Sequence, residues 1–229
     1  MDMPQTPTYP QNITTSFYPK DGTFMLLIDK IQEKTKVLGP GIRTALWFHG
    51  CFRHCPGCIA AEMNKSQDFF EFSVEQLLDR LFSIKGIEGI SISGGEPFQQ
   101  KLDEMLLLLS KIKQQSTLSI MMYTGYLLDE LKQDFQKSKL LDYVDILVDG
   151  PYMENLDRGQ LWRGSENQTI HFLSSRYAHL TSSVPQSKGR PIEVSFNDGL
   201  GFSLTGLPTK GFQDRLKRSL ESKNMDLIW

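Results

Sequence analysis

The chain has 229 residues, of which 39% are hydrophobic and 23% are charged, and its formal net charge is −2. This composition is typical of a globular protein and excludes a disordered chain, and the length fits one domain with small appendages. The nearly neutral charge argues against a protein built to bind nucleic acid. A membrane span needs about 18 consecutive apolar residues, and no apolar run in the chain is that long.

Residues 1–20 are rich in Pro, Thr and Gln and predict an N-terminal arm. After the arm, short apolar runs alternate with helical patterns. The apolar runs predict strands at residues 24–28, 44–48, 89–93, 118–123 and 143–148. Helices are predicted from a capping box at residues 73–76 and over residues 98–115 and 127–136. This alternation predicts an α/β fold with a largely parallel sheet covered by helices.

The tail departs from this rhythm. Strands are predicted at residues 192–196 and 201–204, with Asn197-Asp198-Gly199 as the turn between them and a polar helix from about Phe212. We therefore predict three parts, which are an N-terminal arm (1–20), a core domain (21–180) and a small C-terminal hairpin-plus-helix extension (181–229).

Cysteine usage points to a local site. The three cysteines of the chain, Cys51, Cys55 and Cys58, follow the spacing C-x3-C-x2-C, and an odd count does not suit a disulfide framework. Three thiolates are one fewer than an iron–sulfur cluster normally takes, so a cubane held by them would keep one iron open. The alternative is a zinc site completed by His49 or His54, in a zinc-stabilised interaction module without catalysis.

Unusual segments follow four of the predicted strands. They are the cysteine loop and residues 93–97, 124–126 and 149–152, and in a parallel sheet all four would meet at one edge. Gly94 and Gly95 let another molecule approach the backbone closely, and Glu96 adds a carboxylate that can accept hydrogen bonds from a ligand amine. The alternative is a simple strand-to-helix turn with Glu96 at the start of the helix.

The cysteine loop, followed after about 35 residues by Gly94-Gly95-Glu96-Pro97, resembles the radical S-adenosylmethionine (SAM) superfamily. Three stretches resemble the glycyl-radical enzyme activases, in particular the group that activates the anaerobic (class III) ribonucleotide reductase. These stretches are residues 39–51, residues 55–58, and residues 149–152 together with 162–168. The resemblance covers about residues 22–175.

The resemblance implies a partial (β/α) barrel of the radical SAM type with a single [4Fe-4S] cluster. In that family, SAM binds the open iron through its amino and carboxylate groups. An electron from the cluster then splits SAM into methionine and a 5′-deoxyadenosyl radical, which takes a hydrogen atom from the substrate. The cofactors carry this chemistry, and the protein supplies placement and protection.

The resemblance also implies roles for individual residues, and no catalytic residue is assigned beyond them. Cluster ligation falls to Cys51, Cys55 and Cys58. Contacts to SAM fall to Gly94, Gly95 and Glu96 at its amino group, to Thr124 at its methionyl or ribose portion, and to Arg43 at its carboxylate or at the cluster. The alternative for Arg43 is a surface ion pair. Residues 162–168 form either a lid or docking element, or a turn packed by Trp162.

The partner implied by the resemblance is a glycyl-radical enzyme, with a low-potential electron donor such as flavodoxin and with neither nucleic acid nor membrane involved. Residues 59–61 depart from many activases, and Gly57 stands where much of the superfamily has an aromatic residue, although the Cys-Pro-Gly-Cys form also occurs in activase-like proteins. The arm and the tail exceed a minimal activase. The second hypothesis is therefore a radical SAM enzyme that modifies a peptide or a small molecule. Because an open-iron cluster needs reducing, oxygen-poor surroundings, we expect a cytoplasmic protein.

Overall fold

The structure, a computed structural model, describes residues 25–61, 69–196, 202–209 and 211–222. The predicted N-terminal arm and the predicted turn at residues 197–199 lie outside the described residues. Within the described ranges, none of the helices combines the length and the apolar character that crossing a bilayer requires.

A seven-stranded sheet forms the centre of the fold, in the order β3-β1-β2-β4-β5-β6-β7. Its strands are β1 (Leu26–Thr35), β2 (Arg43–Phe48), β3 (Phe70–Phe72), β4 (Gly89–Gly94), β5 (Ser119–Tyr123), β6 (Ile146–Asp149) and β7 (Thr169–Phe172). The four central strands β2, β4, β5 and β6 pair in parallel, whereas β1, β3 and β7 pair antiparallel. The predicted α/β fold is therefore confirmed.

Four helices lie in the connections between the strands. They are α1 (Val74–Ser83), α2 (Leu102–Gln115), α3 (Leu128–Gln133) and α4 (Phe135–Leu141). The predicted capping box is present, because the Ser73 hydroxyl accepts from the Gln76 N–H while the Gln76 side chain accepts from the Ser73 N–H. These two contacts satisfy backbone donors that the start of a helix leaves free.

The two faces of the sheet are covered differently. Residues that alternate along the parallel strands, such as Leu46, Ile92 and Met122, pack against the buried sides of α1–α4 in the main core. The intervening residues face the other side, where Met121 packs with Trp162 and where Ala45 packs with loop residues. Alternation of side chains across a strand produces this division.

Several predicted boundaries differ from the structure. The first strand extends to Thr35 because it pairs with β2 as far as that residue, and pairing partners cannot be read from local pattern alone. The predicted helix at residues 127–136 is two helices, since the Asp134 carboxylate accepts from the Gln136 and Lys137 N–H groups and starts α4. The strands β3 and β7 were not predicted.

The elements predicted for the tail are present. The strands β8 (Ile192–Phe196) and β9 (Phe202–Gly206) form an antiparallel pair, and the helix α5 (Phe212–Glu221) follows them. The division of the chain into an arm, a core domain and an extension stays a prediction, although the hairpin and helix of the extension have the predicted order.

Arg43 is fully buried at the start of β2, so it does not form the surface ion pair considered above. Its Nε donates to Ser91 Oγ at 2.7 Å, and Nη1 donates to Ser119 Oγ at 2.8 Å and to the Pro40 carbonyl at 3.1 Å. Nη2 donates to the carbonyls of Ile90 at 2.8 Å and Ser119 at 3.2 Å. All five N–H donors of the guanidinium are thus used to tie three strands and a loop together.

We expect Arg43→Met to destabilise the protein by about 3 kcal/mol or more, because each stranded buried acceptor costs about 1–3 kcal/mol. The matched control is Arg176→Met, because the exposed Arg176 side chain also donates to a carbonyl at this end of the sheet and should be nearly neutral. The measurement is the midpoint of thermal unfolding. An Arg43→Met variant that is as stable as the control would contradict this structural role.

Candidate functional site

The four segments that follow the parallel strands meet at one edge of the sheet, as the sequence predicts. They surround a cavity of about 450 Å³, whose wall includes all three cysteines. Gly94, Gly95, Glu96, Thr124 and Gly150 also contribute to this wall. The volume falls within the range of small-molecule sites, about 300–1,000 Å³.

The cysteine loop folds into two tight turns that place its thiols on one side. The Cys58 N–H donates to the Cys55 carbonyl at 3.1 Å, and the Ala61 N–H donates to the Cys58 carbonyl at 3.2 Å. His54 and Gly57 adopt positive φ angles of 45° and 73°, which let the chain reverse between the cysteines. All three thiols are free and partly exposed, so they are available as ligands.

The environment of the loop affects the protonation of its thiols. Burial raises the pKa of Cys51 and of Cys58 above the usual value of a thiol. The Arg53 N–H points at Cys51 Sγ from 3.4 Å and partly opposes this rise. A coordinating metal deprotonates such thiols outright, so the thiols are suited to binding a metal group with release of protons.

Gly94 and Gly95 bring the end of β4 against the chain that leaves β2. The Gly95 N–H donates to the Phe48 carbonyl at 2.6 Å, and the Glu96 N–H donates to the Gly50 carbonyl at 2.9 Å. A Cβ atom added at Gly95 would lie 2.0 Å from the Gly50 oxygen. These two glycines are therefore approached closely by the protein's own backbone. A ligand in the cavity would lie beside them as well.

Glu96 is buried at the edge of the cavity and links two of the loops. Its Oε1 accepts from Thr124 Oγ1 at 2.7 Å and from the Phe98 N–H at 3.1 Å, and its Oε2 accepts from the Gly125 N–H at 2.7 Å. Glu96 also caps the short 3-10 helix Pro97–Gln99. The contact expected from the alternative, in which Glu96 stands at the start of a helix after the strand, is therefore present as well. A carboxylate offers about four acceptor sites, so one remains on Oε2.

Burial raises the pKa of Glu96, and its hydrogen bonds to Gly125, Thr124 and Phe98, together with the charge of Arg53, offset only part of that rise. The Arg53 guanidinium lies over the ring of Tyr126 at 4.2 Å, with its Nε 4.0 Å from Glu96 Oε2. Gly125 makes this possible, because a Cβ there would lie 2.3 Å from Arg53 Cδ. Arg53 thus connects the cysteine loop to the turn after β5.

Asp149 joins the loop after β6 to its neighbours. Burial alone would raise the pKa of Asp149, but hydrogen bonds from His171 and from the Leu128 and Thr169 N–H groups outweigh it and hold that pKa below its usual value. The Leu128 N–H donates at 2.7 Å, and His171 Nε2 lies 3.1 Å away. This carboxylate positions the loop rather than lining the cavity.

Residues 162–168 form a hydrogen-bonded turn at the cavity edge. Gln168 Oε1 accepts from the Gly164 and Ser165 N–H groups at 2.8 and 3.1 Å, and Gln168 Nε2 donates to the Gly150 carbonyl at 2.8 Å. Trp162 is buried together with Met121 on the face of the sheet opposite the main core. It therefore packs the turn, which is one of the two alternatives considered for residues 162–168. Gly164 and Gln168 face the cavity.

The structure does not bring Arg43 to the cavity, because the described residues that line it do not include Arg43. His49 and His54, the candidate fourth ligands of a zinc site, are likewise absent from this described lining. His49 Nδ1 instead lies 2.8 Å from Asp29 Oδ1. Separately, within the described ranges, no group of three or more His, Cys, Asp or Glu side chains is placed to hold a single metal ion.

Sequence reasoning missed several residues of the cavity wall. Arg53, Glu154 and Arg190 contribute to it, and so does the stretch after β9 at residues 207–209. The position of Arg53 between the first two cysteines could have indicated that it lies in the wall of the cavity. Nothing in the local sequence indicates that the stretch after β9 returns to the cysteine loop.

The residues present fit an iron–sulfur cluster with a further ligand beside it. Thiolates are the donors that such clusters require, and three free thiols share this cavity. Beside them, Glu96 has an acceptor site to spare and Gly94 and Gly95 present backbone without side chains. The donor set and the adjoining space therefore suit a cluster together with a molecule that carries an amine.

Comparisons with known proteins agree with this chemistry. The family described as "4Fe-4S single cluster domain" matches residues 37–171 of this chain. The anaerobic ribonucleoside-triphosphate reductase-activating protein of Escherichia coli (strain K12) is 35% identical over an alignment of 144 residues, which covers 60% of this chain and 92% of the relative.

Proteins of the same name from other organisms have a similar sequence identity to this chain. The one from Enterobacteria phage T4 is 35% identical over 147 residues, covering 62% of this chain and 91% of the relative. The one from Vibrio cholerae is 35% identical over 145 residues, covering 59% of this chain and 90% of the relative. The family match over residues 37–171, the coverage of 90–92% of these relatives and the chemistry of the cavity lead to one assignment: this chain belongs to the 4Fe-4S single cluster domain family, in the group of the anaerobic ribonucleoside-triphosphate reductase-activating proteins.

Proposed function

We propose that this protein is a radical SAM enzyme that activates a glycyl-radical enzyme of the anaerobic ribonucleotide reductase type. The observation that carries the proposal is the meeting of three thiols, the turn at residues 94–96 and Thr124 in one cavity at the carboxyl ends of parallel strands. The relatives support the choice of partner, since they are named as activating proteins of the anaerobic ribonucleoside-triphosphate reductase.

Cys51, Cys55 and Cys58 are assigned as the ligands of one [4Fe-4S] cluster. When bound, the cluster offers SAM an open iron and the electron that splits it into methionine and a 5′-deoxyadenosyl radical. The loop contributes by holding three thiols on one side of two tight turns. Its partial burial limits the access of water and oxidants to the sulfur atoms.

Glu96 is assigned to the amino group of SAM. Glu96 lines the cavity and its Oε2 keeps an acceptor site, so an ammonium beside it would gain a charge-assisted hydrogen bond in a poorly solvated place. Gly94 and Gly95 line the same cavity, and we assign them to the same amino group. Thr124 holds the Glu96 carboxylate in place through its hydroxyl, and we assign it a position beside the methionyl or ribose portion.

The sheet is proposed to be the open, partial (β/α) barrel of the radical SAM type. Its four parallel strands carry helices on one face, and the cavity lies at their carboxyl ends. This is the edge at which α/β enzymes place their chemistry.

A low-potential one-electron donor such as flavodoxin is proposed to reduce the cluster, because cleavage of SAM consumes one electron. A cytoplasmic location is proposed for the same reason, since the cytosol keeps thiols reduced. The nearly neutral charge of the chain supports a protein partner rather than a nucleic acid or an anionic membrane surface.

The test is to mix anaerobically reconstituted, reduced protein with SAM and an anaerobic ribonucleotide reductase. We expect electron spin resonance to show a glycyl radical on the reductase and chromatography to show 5′-deoxyadenosine, with neither product formed when SAM is omitted. Formation of 5′-deoxyadenosine without a glycyl signal on any glycyl-radical enzyme tested would favour a peptide or small molecule as substrate and would contradict the proposed partner.

A further inference from the structure

The C-terminal extension contributes to the same cavity as the cysteines. The stretch at residues 207–209, here named the wall segment, lines it together with Gly211 at the start of α5. This stretch lies outside residues 37–171, the range that the 4Fe-4S single cluster domain family matches. The cavity of this chain therefore has a wall that the shared part of the family does not supply.

Specific contacts fix the hairpin that carries the wall segment against β1 and the loop that follows it. The Glu193 carboxylate accepts from Thr35 Oγ1 at 2.5 Å and from the Lys36 N–H at 2.9 Å. Lys30 Nζ donates to the Leu204 carbonyl at 3.4 Å, three residues before the wall segment begins. These bonds join both strands of the hairpin to the core.

The wall segment is also anchored at each of its ends. Leu207 packs against the apolar cluster that includes Val37 and Leu38. At its other end, the Thr209 carbonyl accepts from the Phe212 N–H at 2.9 Å at the start of α5. The segment is therefore held as part of the fold, with Thr209 left exposed at the rim of the cavity.

Arg190, at the entry to the hairpin, completes this side of the cavity. Its guanidinium forms a buried ion pair with Asp157, and its Nη1 lies 3.3 Å from the carbonyls of Arg163 and Gly164. Gly164 belongs to the turn at residues 162–168 that lines the cavity. The extension is thus connected to the core on two sides of the site.

The size of the cavity determines what the wall can admit. About 450 Å³ is in the lower part of the range for sites that bind one drug-sized molecule. With a nucleotide-sized cofactor inside, only a narrow group can enter beside it. A glycine in an extended stretch of polypeptide meets this condition, because it has no side chain to collide with Leu207 or Pro208.

We propose that the wall segment determines substrate specificity by admitting an extended, glycine-containing polypeptide segment of the partner enzyme beside Thr209 and excluding bulkier groups. This inference rests on the proposed function, because it takes the partner to be a glycyl-radical enzyme. The occupant is the main chain of that segment. The Thr209 hydroxyl accepts from Arg215 Nη2 at 3.4 Å, which leaves its own proton to donate to a main-chain carbonyl at the rim of the cavity.

The test is Thr209→Trp, which places a bulky ring at the rim on an exposed position. We expect the yield of glycyl radical to fall about tenfold or more through a higher KM for the reductase, since displacing a reacting group by about 1 Å already costs about a hundredfold. Iron content should stay the same, and the 5′-deoxyadenosine formed without partner should fall much less than the glycyl yield does. Thr209→Ser should keep the wild-type yield.

The matched control is Ser219→Trp, which adds the same ring at an exposed position of α5 in the same extension. This control should behave as wild type. A Thr209→Trp variant with an unchanged glycyl yield, or with partner-free SAM cleavage lost in parallel, would overturn the inference. Wild-type protein that cleaves SAM but leaves the reductase without a radical would contradict the proposed function instead, because that result does not depend on the variant.

Discussion

Replacing Cys55 with alanine is expected to remove the bound iron and to reduce SAM cleavage to background. Cys55 supplies the middle one of the three thiols. Its carbonyl accepts from the Cys58 N–H in the first turn of the loop. With two thiols left, a cubane would have two irons without a protein ligand, and iron–sulfur clusters normally use four cysteines. We expect a loss of more than about a hundredfold in 5′-deoxyadenosine formation, the scale on which loss of a positioned reacting group acts.

The matched control for Cys55→Ala is His54→Asn in the same loop. His54 is exposed and has a φ angle of 45°, which asparagine tolerates better than most residues. The variant should keep iron, sulfide and activity. Loss of the metal from His54→Asn, with zinc rather than iron in the wild-type protein, would support the zinc alternative and contradict cluster binding by three cysteines alone.

Replacing Gly95 with alanine is expected to damage the site and the fold together. The added Cβ would lie 2.0 Å from the Gly50 carbonyl oxygen, so backbone rather than a flexible side chain must move. We expect a loss of about 3 kcal/mol or more, at the upper end of overpacking effects. For a chain of this size that corresponds to a fall of about 10 °C in Tm. SAM cleavage should fall as well, because the displaced turn carries Glu96.

Gly86→Ala is the control for Gly95→Ala. Gly86 has a φ angle of 74°, and the nearest atom to an added Cβ is Lys34 Nζ at 3.9 Å. The cost is therefore only that of a left-handed conformation, about 1–2 kcal/mol. We expect this variant to keep its iron and to cleave SAM at the wild-type rate. Equal losses of stability and activity in the two variants would show that the contact between Gly95 and Gly50 is not what matters.

Local signals predicted most of the elements that position the site. The capping box at Ser73 could be read because the contacts that define it, between Ser73 and Gln76, are local. The cysteine loop, the turn at residues 94–96 and Thr124 could be brought together because parallel strands place their carboxyl ends at the same edge. One rule of sheet geometry was sufficient for this part of the cavity.

Contacts between distant parts of the chain account for what the sequence did not predict. Arg43 precedes the cysteine loop by only a few residues, but β2 runs between them, so the guanidinium is buried at the opposite end of that strand. The wall segment was missed because its position depends on Glu193 reaching Thr35 and on Arg190 reaching Asp157. Such tertiary pairings leave no periodic pattern in the sequence.

The central claim is that three thiolates hold a cubane whose fourth iron is left for SAM. The most direct measurement is the electron spin resonance spectrum of the anaerobically reconstituted, reduced wild-type protein, recorded before and after SAM is added. We predict the signal of a reduced [4Fe-4S] cluster whose shape changes when SAM binds the open iron. A preparation without iron and sulfide, or a cluster signal that SAM leaves unaltered at saturating concentration, would contradict the account.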